Sequence, residues 1–444
     1  MTEKKGKDPQ LALARIRGIM VDPARFSTDE DAISAYLEPG EGATNLLAVA
    51  FPRGVEDIRE VLEVARGYQL SVYTPVPWGL NPPRPGIVVD FEYMADIKDI
   101  DTKNLFLEVE PGVTWEQVIP ELSARGVRIA LPASAKSPYV LENALEREVV
   151  IPACRFTNKQ LSTFHAVLAD GREYRSGSDA LPEARSHWRE DGGPNVSRVF
   201  TGSRNSFGVP TGGFIFLYPE PEARKVVARG LANRKSACLL ADRAARSEVG
   251  TEIVVMNRLK AKEVFGGDPG LPTWSAVFGL EGSTRLVSYQ EKRIDVYAAE
   301  LKLKPKKGTA KLNKAAASAL SRPWYAPETS LGFYTNFGKV EKLSTMVESA
   351  LKQKGKLAQM IIPIKRGASV YVQFDLQDGV KGARSAVSRL LPRLADAGAF
   401  FPNPTGALAT HIFAKQPGYF RLLKDIKKFF DPDDILNSGQ VVEV

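Results

Sequence analysis

The chain is poor in the residues that carry metal, disulfide and proton-transfer chemistry. It holds two cysteines and three histidines in 444 residues. Cys154 and Cys238 are far apart with no neighbouring ligand residues, which excludes a disulfide framework, a Cys-rich metal motif and an iron–sulfur pattern. No apolar run reaches the length of a membrane span. Residues 1–8 are charged and polar with no apolar stretch behind them, so no secretory signal is expected and the expected location is cytoplasmic. There is no basic stripe interleaved with aromatics, so nucleic acid is not an expected partner.

What is present suffices for full cores. Hydrophobic residues make up 43%, and the length predicts two or more domains. The net charge of +8 is modest for this size. A solvated surface explains it; an anionic substrate or an acidic partner subunit is the sharper reading.

The chain is organised around residues 107–115, L-E-V-E-P-G-V-T-W. Apolar and polar residues alternate up to Pro111, which predicts a strand, and Pro111-Gly112 turns it. Thr114 with Gln117 three residues on predicts a helix cap close to a capping box, with the helix running from Trp115 to about Ala124. A second strand over 165–168 closes on Asp170-Gly171.

This strand, P-G-V-T-W, helix and V-L-A-D-G resembles the FAD-binding domain of the FAD-linked oxidases, the superfamily of vanillyl-alcohol oxidase, p-cresol methylhydroxylase and glycolate oxidase. Three further stretches are similar to that family. A-F-P-R-G-V-E-D-I-R-E-V-L at 50–62 resembles its opening strand and helix. F-T-G-S-R-N-S-F-G-V at 200–209 resembles "f-t-G-S-e-G-x-f-G-i". F-D-P-D-D-I-L-N-S-G at 430–439 resembles the tail "f-D-P-x-x-I-L-N-P-G", with Ser438 for the proline. The resemblance covers roughly 45–218 and 397–441. It implies an α+β fold: a PCMH-type FAD-binding domain and a capping α/β domain of antiparallel sheet with helices on one face. The domain reading is a leader over 1–40, the FAD domain over 41–221, the cap over 222–396 and a return segment over 397–444. Within the cap, 224–232 reads as a helix. Residues 301–323, with six lysines, read as a mobile surface loop.

The resemblance implies FAD as cofactor and no metal. By position, Trp78, Gly79, Arg84, Trp115, Asn143, Gly202, Ser203, Gly208, Asn437 and Gly439 are the residues it would place at the flavin. A dinucleotide pyrophosphate needs bare backbone whose N–H groups point at it. The family supplies glycines for this in two loops. Here the first, at 74–86, holds five prolines and only Gly79 and Gly86; each proline removes a donor and fixes φ. The second, at 137–148, has Glu142 and Glu148 where the pattern has glycine, and carboxylates there repel a phosphate. Among the three histidines, His411 falls where the family lines its substrate side and is the general-base candidate. His165 reads as packed and His187 as exposed.

Two functions follow. The first is a subunit of an FAD-linked oxidoreductase acting on a small hydroxy acid, alcohol or alkylphenol by hydride transfer to flavin. The alternative is an FAD-free homologue serving as structural or regulatory subunit of a redox complex. The implied partners are an intact FAD-binding homologue or an electron-transfer protein.

Overall fold

The computed structural model describes residues 8–37, 45–75, 79–146, 150–152, 160–181, 183–267, 271–327, 330–351, 356–376 and 383–440. The helix Val55–Tyr68 shows how its first layer is made. Ile58, Val61, Leu62 and Ala65 recur at helical spacing and are buried, while Glu56 and Asp57 complement the positive end of the helix dipole. That face lies on three parallel strands, Leu46–Ala50, Gly86–Val89 and Ser71–Tyr73, in one apolar core. Gly86 is required there, because any side chain would overlap the backbone of Ser71 on the neighbouring strand. The leader is part of this core. Asp8 caps the helix Pro9–Met20, and Ala12, Leu13, Ile16 and Met20 pack into the same cluster.

The second layer is an antiparallel sheet of five strands. Its centre is Phe106–Val109, Val209–Phe216 and Leu161–Val167. After the Pro111–Gly112 turn, the capping box is complete. Thr114 Oγ1 accepts from the Gln117 amide at 3.3 Å, and Gln117 Oε1 accepts from the Thr114 amide at 2.8 Å. The helix Trp115–Ala124 buries Trp115 in the core of this layer.

The cap is a seven-stranded antiparallel sheet that begins with Ala223–Leu231. This segment is a strand and not the helix its spacing suggested. Val226 and Val227 are β-branched, and the whole stretch pairs with Trp274–Gly282, a partner that local periodicity cannot register. Helices cover both faces of the sheet, not the one face that the resemblance implies. Arg234–Arg246, Thr284–Glu300, Phe337–Leu351 and Ala383–Asp396 pack on one side; Arg258–Phe265 and Ala310–Leu320 pack on the other, together with Ala133 and Val150 of the first domain. Along Glu252–Asn257, Ile253 and Val255 face the first cluster, while Val254 and Met256 face the second. The lysine-rich stretch is therefore not a loop throughout. Thr309 caps Ala310–Leu320, whose Leu312, Ala316 and Ala319 are buried.

The chain returns late. The helix Gly406–Ala414 still packs on the cap through Leu408 and Ile412. The next helix, Pro417–Phe430, brings Ile426 and Phe430 to the core of the second layer. Beyond it the tail runs beside Ser71–Tyr73: the Val72 amide donates to Ile435 O at 2.7 Å, and the Asn437 amide donates to Val72 O at 2.9 Å.

Candidate cofactor cleft and cap pocket

The tail and the proline-rich loop meet edge to edge at the end of the Ser71–Tyr73 strand. The Thr74 amide, the first donor past that strand, is taken by Asn437 Oδ1 at 2.8 Å. Asn437 Nδ2 donates in turn to Thr74 Oγ1 at 2.9 Å and to Arg204 O at 2.6 Å. Asn205 Nδ2 also donates to Thr74 Oγ1, at 3.0 Å. Asn205 stands where the resembling family has glycine; its φ of 56° lies in the left-handed region, which asparagine tolerates.

The rest of the loop offers an anion little. Pro75, Pro82, Pro83 and Pro85 have no N–H. The Leu80 amide donates to Tyr36 O at 2.7 Å and the Gly86 amide to Asn45 O at 2.9 Å. Gly79 takes a left-handed φ of 85°. Trp78 lies outside the described residues. Arg84 turns to the tail: its Nη2 donates to Asp434 O at 2.7 Å and Ser438 Oγ at 2.8 Å and pairs with the Asp434 carboxylate. Gly439 fits because a Cβ there would sit 2.8 Å from Pro83 Cγ.

The opposite wall is the segment before the helix Val140–Leu145. Asn143 shapes it, with Nδ2 donating to Ser137 O at 2.7 Å and Tyr139 O at 2.6 Å and Oδ1 accepting from the Lys136 amide at 3.0 Å. Glu142 projects between the walls. Burial pushes its carboxyl up to about 8; the nearby Glu146 and Asp90 add to this and a Ser137 hydrogen bond opposes it. Asp90, near Glu142 but not on the cavity wall, is also raised by burial, although it accepts from Tyr36 Oη at 2.8 Å and the Glu92 amide at 2.8 Å. Burial, and then the charge of Asp90, push the Tyr36 and Tyr139 hydroxyls upward as well. The cavity left among Pro75, Phe91, Tyr139, Glu142, Asn205 and Pro210 measures about 10 Å³, room for roughly one water molecule.

The remaining residues of interest are structural neighbours of this cleft. Trp115 lies in the apolar core, Gly202 donates its amide to Leu145 O at 2.8 Å, and Gly208 packs against Phe200 and Ala166. The hydroxyls of Ser203 and Ser206 are buried without a hydrogen-bond partner among the described residues, but neither lines the cavity. Sequence reasoning missed Lys427. It is fully buried, and its Nζ binds Asp431 Oδ2 at 2.6 Å, Leu436 O at 2.7 Å and Ser206 O at 3.0 Å, bolting the tail to the 202–208 segment. Its position four residues before Asp431, across a helix end, was the available signal.

A second, larger space lies between the first domain and the cap. It measures about 300 Å³ and is lined by Lys136 and Arg204 from the first domain and by Ser330, Tyr371, Phe401 and Asn403 from the cap side. Lys136 Nζ donates to Ser330 Oγ at 3.2 Å. Behind Tyr371 runs a buried polar chain. Tyr371 Oη donates to Gln373 Oε1 at 3.2 Å, Gln373 Nε2 donates to Asp375 Oδ1 at 2.7 Å, and Asp375 pairs with Lys260. Two cations on a wall of mixed polar and apolar residues suit a small organic anion. His411 does not line this space. Its Nε2 lies 2.8 Å from Asp396 Oδ1, in an outer pair shared with Lys415. His165, on Leu161–Val167, pairs with Asp179. No cluster of three or more metal-ligating side chains occurs among the described residues, and no helix there is long and apolar enough to cross a membrane.

Residues 46–177 match the FAD binding domain family model. The chain is 25% identical over 188 residues to the glycolate oxidase subunit GlcD of Bacillus subtilis (strain 168), covering 40% of this chain and 38% of that protein. It is 25% identical over 230 residues to the 4-cresol dehydrogenase [hydroxylating] flavoprotein subunit of Pseudomonas putida, covering 48% of this chain and 43% of the relative. It thus spans less than half the length of the curated relatives it matches. The fold is that of substrate-bound p-cresol methylhydroxylase, with a TM-score of 0.85 at 18% identity over 99% of this chain and 97% of the other. It is also that of 4-ethylphenol oxidase from Gulosibacter chungangensis, with a TM-score of 0.83 at 16% identity over 99% and 98%. These likenesses make FAD the cofactor of this domain type. The residues that would hold it here are Thr74, Gly79, Arg84, Asn143 and the 437–439 tail. As arranged, they do not fit a dinucleotide: the Thr74 amide and the Arg84 guanidinium are bonded to the tail, the Glu142 carboxyl lines the space, and among the described residues that space measures about 10 Å³.

Proposed function

With an FAD-linked oxidase fold of the p-cresol methylhydroxylase type and an FAD binding domain over residues 46–177 as the premise, we propose that this chain is a subunit of an FAD-linked oxidoreductase assembly. The assembly oxidises a small hydroxy acid, alcohol or alkylphenol, with its flavin as hydride acceptor, and passes electrons to a protein partner. Two of the relatives above are themselves named as subunits, which supports a multi-chain setting. The observation that carries the reading is the cap pocket of about 300 Å³ with Lys136 and Arg204 on its wall. In it this chain's residues bind and orient an organic anion: the cations hold a carboxylate or phenolate, and Phe401 and the cap strands keep water from its apolar part.

The test is capture of the assembly on tagged full-length chain, followed by dye-linked oxidation assays with hydroxy acids and alkylphenols. Oxidation of one class by the assembly is the expected outcome, with a compound of that class retained by this chain and released in Arg204→Ala. An assembly inactive towards both classes would count against the reading.

A further inference from the structure

We propose that this chain serves the oxidoreductase without holding FAD itself, its dinucleotide cleft having been closed into core by its own side chains. The inference rests on the proposed function, and three independent observations carry it.

Three donors of the loop are already committed. Asn437 takes the Thr74 amide, Tyr36 O takes the Leu80 amide, and the Arg84 guanidinium is held by Asp434 and Ser438 of the tail. An incoming pyrophosphate would have to break these bonds before making its own, and the four described prolines of the loop cannot replace them. The charge is of the wrong sign. Glu142 is on the cavity wall with Asp90 close behind, and a pyrophosphate there would be repelled wherever the Glu142 carboxyl is ionised. The space is missing. A cavity of about 10 Å³ admits roughly one water, and three prolines, Pro75, Pro111 and Pro210, stiffen its wall. The wall is also braced from behind by the buried Lys427, which ties Ser206 to the tail.

The isolated full-length chain is dialysed against FAD at pH 6 and at pH 9, with flavin read by absorbance and thermal unfolding followed in parallel. The pH 6 arm is the more permissive, because Glu142 is then protonated. The expected result is no retained flavin and an unmoved unfolding midpoint at both values. One flavin per chain, with the upward shift of several degrees that saturating ligand brings, overturns the proposal at either pH. Separately, the captured assembly is resolved into its chains. Flavin on a different chain supports the proposal, and flavin on this one overturns it. An assembly without dehydrogenase activity would refute the proposed function, while the dialysis would still decide whether the cleft takes flavin.

Discussion

Two spaces in this molecule lie at comparable junctions and have opposite character. The cleft between the two sheets of the first domain holds a cavity of about 10 Å³ with the Glu142 carboxyl on its wall. The space between that domain and the cap is about 300 Å³ and faced by Lys136 and Arg204. A dinucleotide and a small organic acid are both anions, so sign and room together decide which space can take a ligand. The difference teaches that a fold can keep its overall path while one of its two ligand sites is converted into packing.

The largest effect is expected at the brace. Lys427→Met leaves Asp431 buried without its cation and should cost about 3–5 kcal/mol, read by urea unfolding. If the loss is small, the closed cleft does not depend on the tail. Next, Arg204→Ala or Lys136→Ala should weaken binding of a probe such as benzoate roughly 10- to 100-fold, the worth of one charge-assisted hydrogen bond, measured by calorimetry. Unchanged affinity would move the anion site elsewhere.

Glu142 gives a pH signature. Its folded pKa of about 8 lies above the ordinary 4.5, so the folded state binds the extra proton between those values. Stability contributed at this position is then fully present below about pH 4.5 and lost as pH rises towards 8. Glu142→Gln should flatten that fall in melting midpoint; an identical pH profile would mean that Glu142 is solvated. Arg84→Ala removes a half-exposed pair with Asp434 and should cost no more than about 1 kcal/mol, without any gain of flavin. The smallest effect is at His411. His411→Gln should leave both stability and oxidation rate unchanged, because its partner Asp396 is at the surface. A lost rate with normal stability would return it to the reaction.

Much of the fold was legible because its signals are local. The Thr114–Gln117 box, the Pro111–Gly112 turn and the helical stripe of Val55–Tyr68 each specify their own geometry within a few residues. Ala223–Leu231 was not legible, since V-V-A-R-G-L is ambiguous until Trp274–Gly282 pairs with it. The helix Ala310–Leu320 was hidden by lysine content, although Thr309 and the alanine run are a sound helix start. In the cleft, the missing glycines could be read directly. What replaced their function could not, because Arg84 meets Asp434 across 350 residues of chain and Glu142 is desolvated only once both sheets are assembled.

The most direct measurement is equilibrium dialysis of the isolated full-length chain against an equimolar mixture of FAD and benzoate. The account predicts that benzoate is retained and FAD is not. Retention of one FAD per chain, with benzoate left in solution, would contradict it.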